Sequence, residues 1–198
     1  MRLGRAFTAR RDGSVGASLA SRQAYLLRRL GADLLTLLAE GDVALPTDPL
    51  EAAVASAPRV RPDDPALLRL LPDAVRSDLP GSAETAAAQR LSQEFRRLSE
   101  GDLRAGKRAD AQTLLDTLGD AVLPPATAAS WLRSINDARL VLGSRLELRT
   151  DGDLERLWAE HEVGSQASVR DPVVALIVTY DELGGLQEDL VRAVERLG

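Results

Sequence analysis

Leucines recur at helical spacing early in the chain. Ser21 is a favourable N-cap residue and Gly41 a favourable stop, so the pattern predicts an amphipathic helix over 21–40. The apolar positions of its stripe are Tyr25, Leu26, Leu30, Leu34, Leu37 and Leu38. We expect this face to pack against neighbouring elements.

Two later segments carry the same periodicity. The pattern predicts helical structure over 82–118, where Gly101 is expected to break or kink the helix. A further helix is predicted over 126–146, after Pro124 and Pro125. A helix-turn-helix unit around Gly101 is one interpretation of the first segment, although its loop is acidic as well as basic.

Three aspartate-proline pairs predict helix starts. The aspartate caps free N–H groups, and proline is tolerated at the first helical position because its nitrogen has no intrahelical partner there. From two of these pairs we predict a short helix over 64–71 and a closing helix over 171–197, and a short helix over 153–161 precedes the latter. The pairs are Asp48-Pro49, Asp64-Pro65 and Asp171-Pro172.

Short apolar segments flank a turn near the N-terminus. The turn Arg11-Asp12-Gly13-Ser14 lies between GRAFTA and VGASLA, which predicts a β-hairpin. The whole pattern predicts a mainly α fold of six to eight helices with this small N-terminal β-hairpin, in a single domain over 1–198. Its predicted segments are the hairpin (1–20), the first helices (21–57), a proline-rich connector (58–81), the central helices (82–149) and the C-terminal helices (150–198).

Composition agrees with a globular helical chain. Apolar residues make up 44% of the 198 residues and aromatic residues only 3%, so the core must consist mainly of Leu, Val and Ala. The sequence contains no cysteine, which excludes disulfides, cysteine-bound metals and thiol switches within it. We find no signal-peptide pattern and no apolar stretch long enough for a bilayer, so we expect a cytoplasmic protein without a membrane partner.

Charge is distributed unevenly along the chain. Residues 1–30 carry seven arginines against one aspartate, a net charge of +6, whereas residues 150–198 carry eleven acids against four arginines, a net charge of −7. A basic segment can contact phosphate locally even in an acidic protein, and the alternative is a solvated arginine-rich edge. The predicted contacts to DNA or a partner are Arg5, Arg10, Arg11, Arg28, Arg29, Arg96, Arg97, Arg104, Lys107 and Arg108.

The segment from Gly101 to Lys107 has the spacing of a phosphate-binding loop. Arg108, however, occupies the position where a hydroxyl would bind Mg²⁺, and Asp102 would place a carboxylate against phosphate oxygens. The preceding residues predict a helix instead of a buried strand. We therefore predict neither a nucleotide site nor a cofactor.

Catalytic and metal-binding patterns are equally incomplete. His161 is the only histidine, Ser165 stands where a second metal-binding histidine would be needed, and no G-x-S-x-G motif occurs. Asp151-Gly152-Asp153 begins like a calcium loop but lacks the glycine at the sixth position, so we expect helix capping there. The sequence predicts no catalytic residue, no metal site and an exposed His161 near a helix end, which favours a non-enzymatic protein.

The helix over 126–146 carries two faces. Trp131, Ile135, Ala138 and Leu142 form an apolar stripe, which predicts core packing. The other face is compatible with either a polar network between helices or a ligand pocket: Arg133 can pair with Asp137 at i, i+4, and Arg139 can bind an acid from another helix. The motif residues of this helix are Trp131, Asn136, Asp137, Arg139, Gly143 and Arg145.

This motif, together with the segments EFRRLSEGDLRAGKRADA and DPALLRLLPDA, resembles an actinobacterial family of domains of unknown function. Some members of that family are described as oxidative-stress transcription regulators of the AosR type. The similarity extends over nearly the whole chain. It implies a non-enzymatic cytoplasmic regulator that acts with RNA polymerase, another regulator or DNA, in a genomic setting that includes a protease adaptor and cysteine-synthesis genes.

Two functional hypotheses follow. The first is a regulatory protein that acts through DNA or the transcription machinery, and the alternative is a protein-interaction module linked to regulated proteolysis that uses its acidic C-terminal helix and leucine-rich faces. Self-association as a homodimer is compatible with both. One departure from oxidative-stress regulators matters, since these proteins commonly sense through thiols and this sequence has none.

Overall fold

The computed structural model describes residues 5–40, 61–72, 83–150, 152–164 and 171–197. In the helix that begins at Ala83, side chains are described from Arg90 onward. The predicted helix start at Asp48-Pro49 lies outside the described residues.

A small antiparallel sheet lies at the N-terminus. Strands β1 (Phe7–Ala9) and β2 (Val15–Ala17) form the predicted hairpin, with Phe7 paired to Ala17. A third strand, β3 (Val122–Leu123), pairs with β2 through Val15 and Leu123. The hairpin prediction is confirmed, and β3 extends it into a three-stranded sheet.

Helix α1 (Ser21–Ala39) confirms the predicted helix. Leu34, Leu37 and Leu38 of the predicted face are buried, but placing Tyr25 on that face is wrong, because Tyr25 is 65% exposed and Leu27 is buried instead. Its N-cap is Ala20, whose backbone N–H donates to Oε1 of Gln23 at 2.9 Å. The prediction that Ser21 caps the helix is therefore wrong, because a glutamine at the third helical position supplies the acceptor instead. Helix α2 (Pro65–Leu70) starts as predicted, since Asp64 accepts hydrogen bonds from the first turn.

Helix α3 (Ala83–Asp116) is a single element of 34 residues that continues through Gly101. The predicted break at Gly101 is wrong, and with it the helix-turn-helix interpretation. A glycine costs a helix only about 1 kcal/mol, and α3 is held by contacts with α1 and with helix α4 (Pro125–Arg145). Tertiary packing therefore outweighs the local preference.

Helices α5 (Gly152–Glu160) and α6 (Pro172–Glu195) complete the described elements. Asp171 caps α6 by accepting a hydrogen bond from the N–H of Val173 at 2.8 Å, as predicted. With six helices and one small sheet among the described residues, the mainly α fold is confirmed. None of these described helices has the length and apolar character needed to cross a bilayer.

The core lies where the sheet and α1 meet α2, α3, α4 and α6. Phe7 of β1 and Trp131 of α4 are fully buried, and their rings meet edge to face with centroids 6.0 Å apart. Ile135, Ala138 and Leu142 continue the buried stripe of α4, which confirms that prediction. Helix α4 is therefore the central element of the fold.

Candidate functional site

Three charged side chains are buried along one face of α3. Arg96, Glu100 and Arg104 each expose 5% or less of their side chains. The carboxylate of Glu100 accepts from Nη1 of Arg96 at 2.7 Å and from Nη2 of Arg104 at 2.9 Å. Arg96 and Arg104 are thus inside the protein, and predicting them as contacts for DNA or a partner is wrong.

The same two arginines fasten the ends of neighbouring helices. Nη1 of Arg104 donates to the carbonyl oxygens of Leu38 at 2.7 Å and Glu40 at 2.8 Å, at the C-terminal end of α1. Nη1 of Arg96 lies 3.5 Å from the carbonyl oxygen of Leu71, at the end of α2. The last carbonyl groups of a helix lack intrahelical partners, and these side chains supply hydrogen-bond donors to them. The positive guanidinium groups also interact favourably with the negative end of the helix dipole.

The charge state of Glu100 follows from this arrangement. Burial alone would raise the pKa of Glu100, but the hydrogen bonds and positive charges of Arg104 and Arg96 outweigh burial and hold the pKa below its usual value. The carboxylate is therefore ionised at neutral pH, and the cluster carries one negative and two positive charges.

A solvent-accessible groove of about 550 Å³ is lined by residues of α3, α4 and α6. It combines apolar walls with ionised side chains and contains both Lys107 and the Asn136-Asp137 motif. Of the predicted site residues, the groove therefore brings together Lys107, Asn136 and Asp137. Its lining residues are Asp102, Leu103, Gly106, Lys107, Asp110, Leu132, Arg133, Asn136, Asp137, Gln187 and Val191.

Two ion pairs join α3 to α4 across this groove. Nζ of Lys107 donates to Oδ1 of Asp137 at 2.6 Å, and Arg133 binds both carboxylate oxygens of Asp110 at 2.6 and 2.7 Å. The predicted Arg133 to Asp137 pair is therefore wrong, because each residue finds a closer partner on α3. Burial raises the pKa of Asp137 above its usual value, although Lys107 opposes that shift.

Arg139 connects α4 to α6. Its Nη1 donates to Oε1 of Gln187 at 2.6 Å, and its Nη2 donates to the hydroxyl of Tyr180 at 3.3 Å, with the guanidinium 4.9 Å from the Tyr180 ring centre. Gln187 in turn donates to Oδ1 of Asn136 at 3.4 Å. The expected acidic partner of Arg139 is replaced by an amide and a phenol, and this face of α4 forms a polar network between helices.

The other motif residues make contacts within the fold, away from the groove. Nε1 of Trp131 donates to Oγ1 of Thr117 at 2.9 Å. Arg145 binds Asp64 at 2.6 Å and so joins the end of α4 to the cap of α2. A Cβ added at Gly143 would lie 3.5 Å from the Tyr180 ring, an ordinary contact.

The N-terminal arginines lie on the exposed surface, partly in ion pairs. Arg10 lies 3.6 Å from Asp12, and Arg29 lies 3.8 Å from Asp33. Three others are exposed and make no ion pair with any described residue: Arg5, Arg11 and Arg28. The basic segment thus keeps a cationic surface, although the nearby aspartates lower its net positive charge.

The basic and acidic ends of the chain also meet each other. The N–H of Phe7 donates to Oδ2 of Asp189 at 3.0 Å, and Arg22 lies 3.3 Å from Glu182. A cavity of about 610 Å³ lies between the sheet, the start of α1 and α6. Its charged lining residues are Arg5, Arg22, Asp181, Glu182, Asp189 and Arg192. The C-terminal acids therefore neutralise part of the N-terminal charge.

The remaining predicted cations lie on α3. Arg97 is exposed and pairs with Glu94, with Nη2 and Oε1 2.6 Å apart. Arg108 is half-buried, and Lys107 belongs to the groove. The ten predicted contacts therefore do not form one surface.

His161 is half-buried, with its Nδ1 2.7 Å from Oδ2 of Asp171, the residue that caps α6. The prediction of an exposed histidine is wrong, because the Asp171 carboxylate bridges the two helices. Asp153, inside the first turn of α5, accepts from the backbone N–H groups of Arg149 and Thr150 before the helix, both at 2.7 Å, and the expected cap residue Asp151 lies outside the described residues. Among the described residues, no group of three or more acidic or histidine side chains could hold a metal ion.

The sequence reasoning missed three residues that hold these side chains. Asp110 and Gln187 line the groove and bind Arg133 and Arg139, respectively, and Glu100 holds the buried cluster of α3. Asp110 follows Lys107 by three residues and therefore shares its helix face, a signal that was available. The spacing of Arg96, Glu100 and Arg104 is a signal of the same kind, whereas nothing local identifies Gln187.

The chain is similar in sequence to proteins from mycobacteria. The Mycobacterium tuberculosis (strain ATCC 25618 / H37Rv) protein named oxidative stress regulator AosR is 36% identical over 191 residues, which cover 91% of this chain and 83% of that protein. A Mycobacterium bovis protein of the same name matches equally well. A Mycobacterium leprae relative is 35% identical over 185 residues, covering 89% of this chain and 80% of its own.

No solved structure matches the chain. A family model described as a domain of unknown function matches residues 4–194. The expected resemblance is confirmed, and the chain belongs to the DUF2017 family.

Proposed function

We propose that this chain is a non-enzymatic cytoplasmic regulator of the oxidative-stress response that acts on transcription by binding another protein. Relatives at 36% identity carry the name oxidative stress regulator, and this supports a regulatory role. The observation that carries the mode of action is the groove between α3, α4 and α6.

The chemistry of the groove favours a basic amphipathic segment as its occupant. Leu103, Leu132 and Val191 provide apolar contacts. The charged lining consists of three aspartates against one lysine and one arginine, an excess of one acid. Each cation is already paired with an aspartate, so the negative charge left over attracts a positively charged partner.

Two features support a regulator without its own chemistry. The only histidine of the sequence is paired with the cap of α6, so it serves a structural contact. The ion pairs of the groove hold α3 and α4 together, which is a use of charge that requires no reaction. RNA polymerase of the source organism is the first partner to test.

Binding can be tested with purified RNA polymerase holoenzyme on a biosensor surface. Asn136 is exposed in the groove, and Asn136→Arg adds bulk and positive charge there. Gln112→Arg is a matched control, because Gln112 is an exposed amide outside the groove. We expect Asn136→Arg to abolish binding and Gln112→Arg to leave it unchanged. Equal binding by both variants would exclude the groove, and no binding by the wild type would exclude the polymerase.

A second candidate function is direct DNA binding, favoured by the exposed Arg5, Arg11 and Arg28. Fluorescence anisotropy of a labelled duplex from upstream of the protein's own operon, compared with a scrambled duplex at low and physiological salt, tests it. Sequence-dependent binding at physiological salt that is lost when these three arginines are changed to glutamate would establish this function. Weak binding to both duplexes that disappears with salt would reject it.

A further inference from the structure

Helix α3 has a polar inward face between Arg90 and Arg104. The buried positions recur every four residues, and all of them are polar or charged. They are Ser92, Arg96, Glu100 and Arg104. A helix on the surface of a globular protein normally buries an apolar stripe, so this half of α3 has the reverse polarity.

The outward face of the same segment carries large apolar residues among its polar ones. Leu91, Phe95 and Leu98 expose 57%, 45% and 64% of their surface, respectively. Scattered exposed hydrophobic residues are common, but three in line on one helix form a contiguous patch, and such patches mark interaction sites. We call these three residues the apolar stripe.

The spacing of the apolar stripe fits a helix as its occupant. Successive intervals of four and three residues are those of the seam of a coiled coil, in which side chains of one helix insert between those of another. Asp102 and Ala105 continue the same intervals toward the C-terminal end. The seam is therefore short and centred near Phe95 and Leu98.

We propose that the apolar stripe binds the apolar stripe of a second copy of this chain, with the two α3 helices antiparallel. In a two-fold symmetric contact, residue i meets residue j and residue j meets residue i. A two-fold axis between Phe95 and Leu98 places each of them against the other in the second copy. Phe95 and Leu98 are thus complementary to each other across the axis, whereas Leu91 lies at the edge of the contact, opposite Asp102 of the second copy.

Charge on the flank of the stripe selects the same partner. Glu94 and Arg97 lie three residues apart on one flank and pair with each other at 2.6 Å. In an antiparallel pair the same flanks of the two helices meet, so Arg97 of each copy lies beside Glu94 of the other. The charges of Glu94 and Arg97 in the two copies are then opposite in sign across the contact, which favours a second copy as the partner.

Sedimentation velocity over a range of protein concentrations tests the contact. Leu98→Glu places a charge beside the two-fold axis of the contact, and Tyr25→Glu is the matched control because Tyr25 is 65% exposed on α1. Wild type and Tyr25→Glu should form a concentration-dependent dimer, whereas Leu98→Glu should remain a monomer with an unchanged circular-dichroism spectrum. A monomeric wild type, or a dimer that survives Leu98→Glu, would overturn the proposal.

The antiparallel orientation has its own test. Glu94→Arg and Arg97→Glu each give a flank of one sign, so each variant alone should dimerise at least tenfold more weakly. Mixing the two variants should restore association, because a positive flank then meets a negative one. If mixing restores nothing, the flanks do not face each other and the antiparallel arrangement is wrong.

Discussion

Removing the carboxylate of Glu100 is the sharpest perturbation of the buried cluster. In Glu100→Ala, the guanidinium groups of Arg96 and Arg104 stay buried but lose the anion that both of them bind. Breaking a buried ion pair by deleting one partner costs about 3–5 kcal/mol, because an uncompensated charge remains. The variant should therefore be much less stable than the wild type.

The contacts that remain set the magnitude. Arg104 keeps two carbonyl acceptors at 2.7 and 2.8 Å, and Arg96 also keeps interactions, among them the 3.5 Å contact to the Leu71 carbonyl. We therefore expect a loss near the lower end of the range, about 3 kcal/mol. For a chain of this size each kcal/mol shifts Tm by roughly 2–4 °C, so Tm should fall by about 6–12 °C.

Urea unfolding followed by circular dichroism measures this loss. Glu188→Ala is the control, because Glu188 pairs with Arg192 at the same i, i+4 spacing but on an exposed helix face. An exposed pair contributes about 0.3–0.5 kcal/mol. If Glu100→Ala costs no more than Glu188→Ala, then burial does not amplify the charge interaction and the reasoning fails.

The pH dependence separates charge from packing. The folded pKa of Glu100 lies below its ordinary value of 4.5, so its stabilisation is present above pH 4.5 and is lost as pH falls through the folded pKa. Glu100→Gln keeps a hydrogen-bond acceptor but no charge. Its deficit in unfolding free energy should therefore shrink in acid, and a deficit independent of pH would assign the effect to packing alone.

Two further predictions concern Asp137 of α4 and the packing of α1 against α3. Burial raises the folded pKa of Asp137, so its favourable contribution to stability is present below pH 3.8 and is lost as pH rises through the folded pKa. In urea unfolding, the stability of Asp137→Asn relative to the wild type should therefore increase toward neutral pH, even though Lys107 loses its anion. A change in the opposite direction would contradict this. Gly31→Ala would place a Cβ 3.0 Å from Leu115, so overpacking of about 1–3 kcal/mol should cancel or exceed the gain in helix propensity. Gly106→Ala meets no atom within 4 Å and should stabilise by about 0.5–1 kcal/mol, and thermal unfolding that finds equal gains for both glycines would refute the close approach of α1 to α3.

Elements with a strong local signal could be predicted from the sequence. The aspartate-proline pairs at Asp64 and Asp171 contain the cap and the first helical residue side by side, so no distant partner is needed to interpret them. The buried stripe of α4 could also be predicted, because four apolar residues at helical spacing lie on one face of the helix, and that face packs in the core. Such signals are confined to a few neighbouring residues.

The errors concern residues whose partners are distant in sequence. Arg96 and Arg104 look like surface cations because their acceptors include the ends of α1 and α2, which no local pattern places nearby. Arg133 has an acid at i, i+4, yet it binds Asp110, 23 residues earlier, with better geometry. Gly101 lies in a helix whose continuity depends on packing. In each case a tertiary contact outweighs the preference that sequence reasoning could evaluate.

The name of the relatives and the composition of this chain bear on how an oxidative-stress signal could reach the protein. A protein that senses oxidants directly usually does so through a cysteine thiolate, and these 198 residues contain none. Under the proposed function, we expect the signal to reach this chain through a molecule that binds it. A binding event can shift a regulator only if it favours one state of the protein over another. The groove is suited to this, because its occupant would contact α3, α4 and α6 at once, where the Lys107 and Arg133 ion pairs hold two of these helices together. Reorganising those pairs would change how α3 packs, and α3 also carries the apolar stripe.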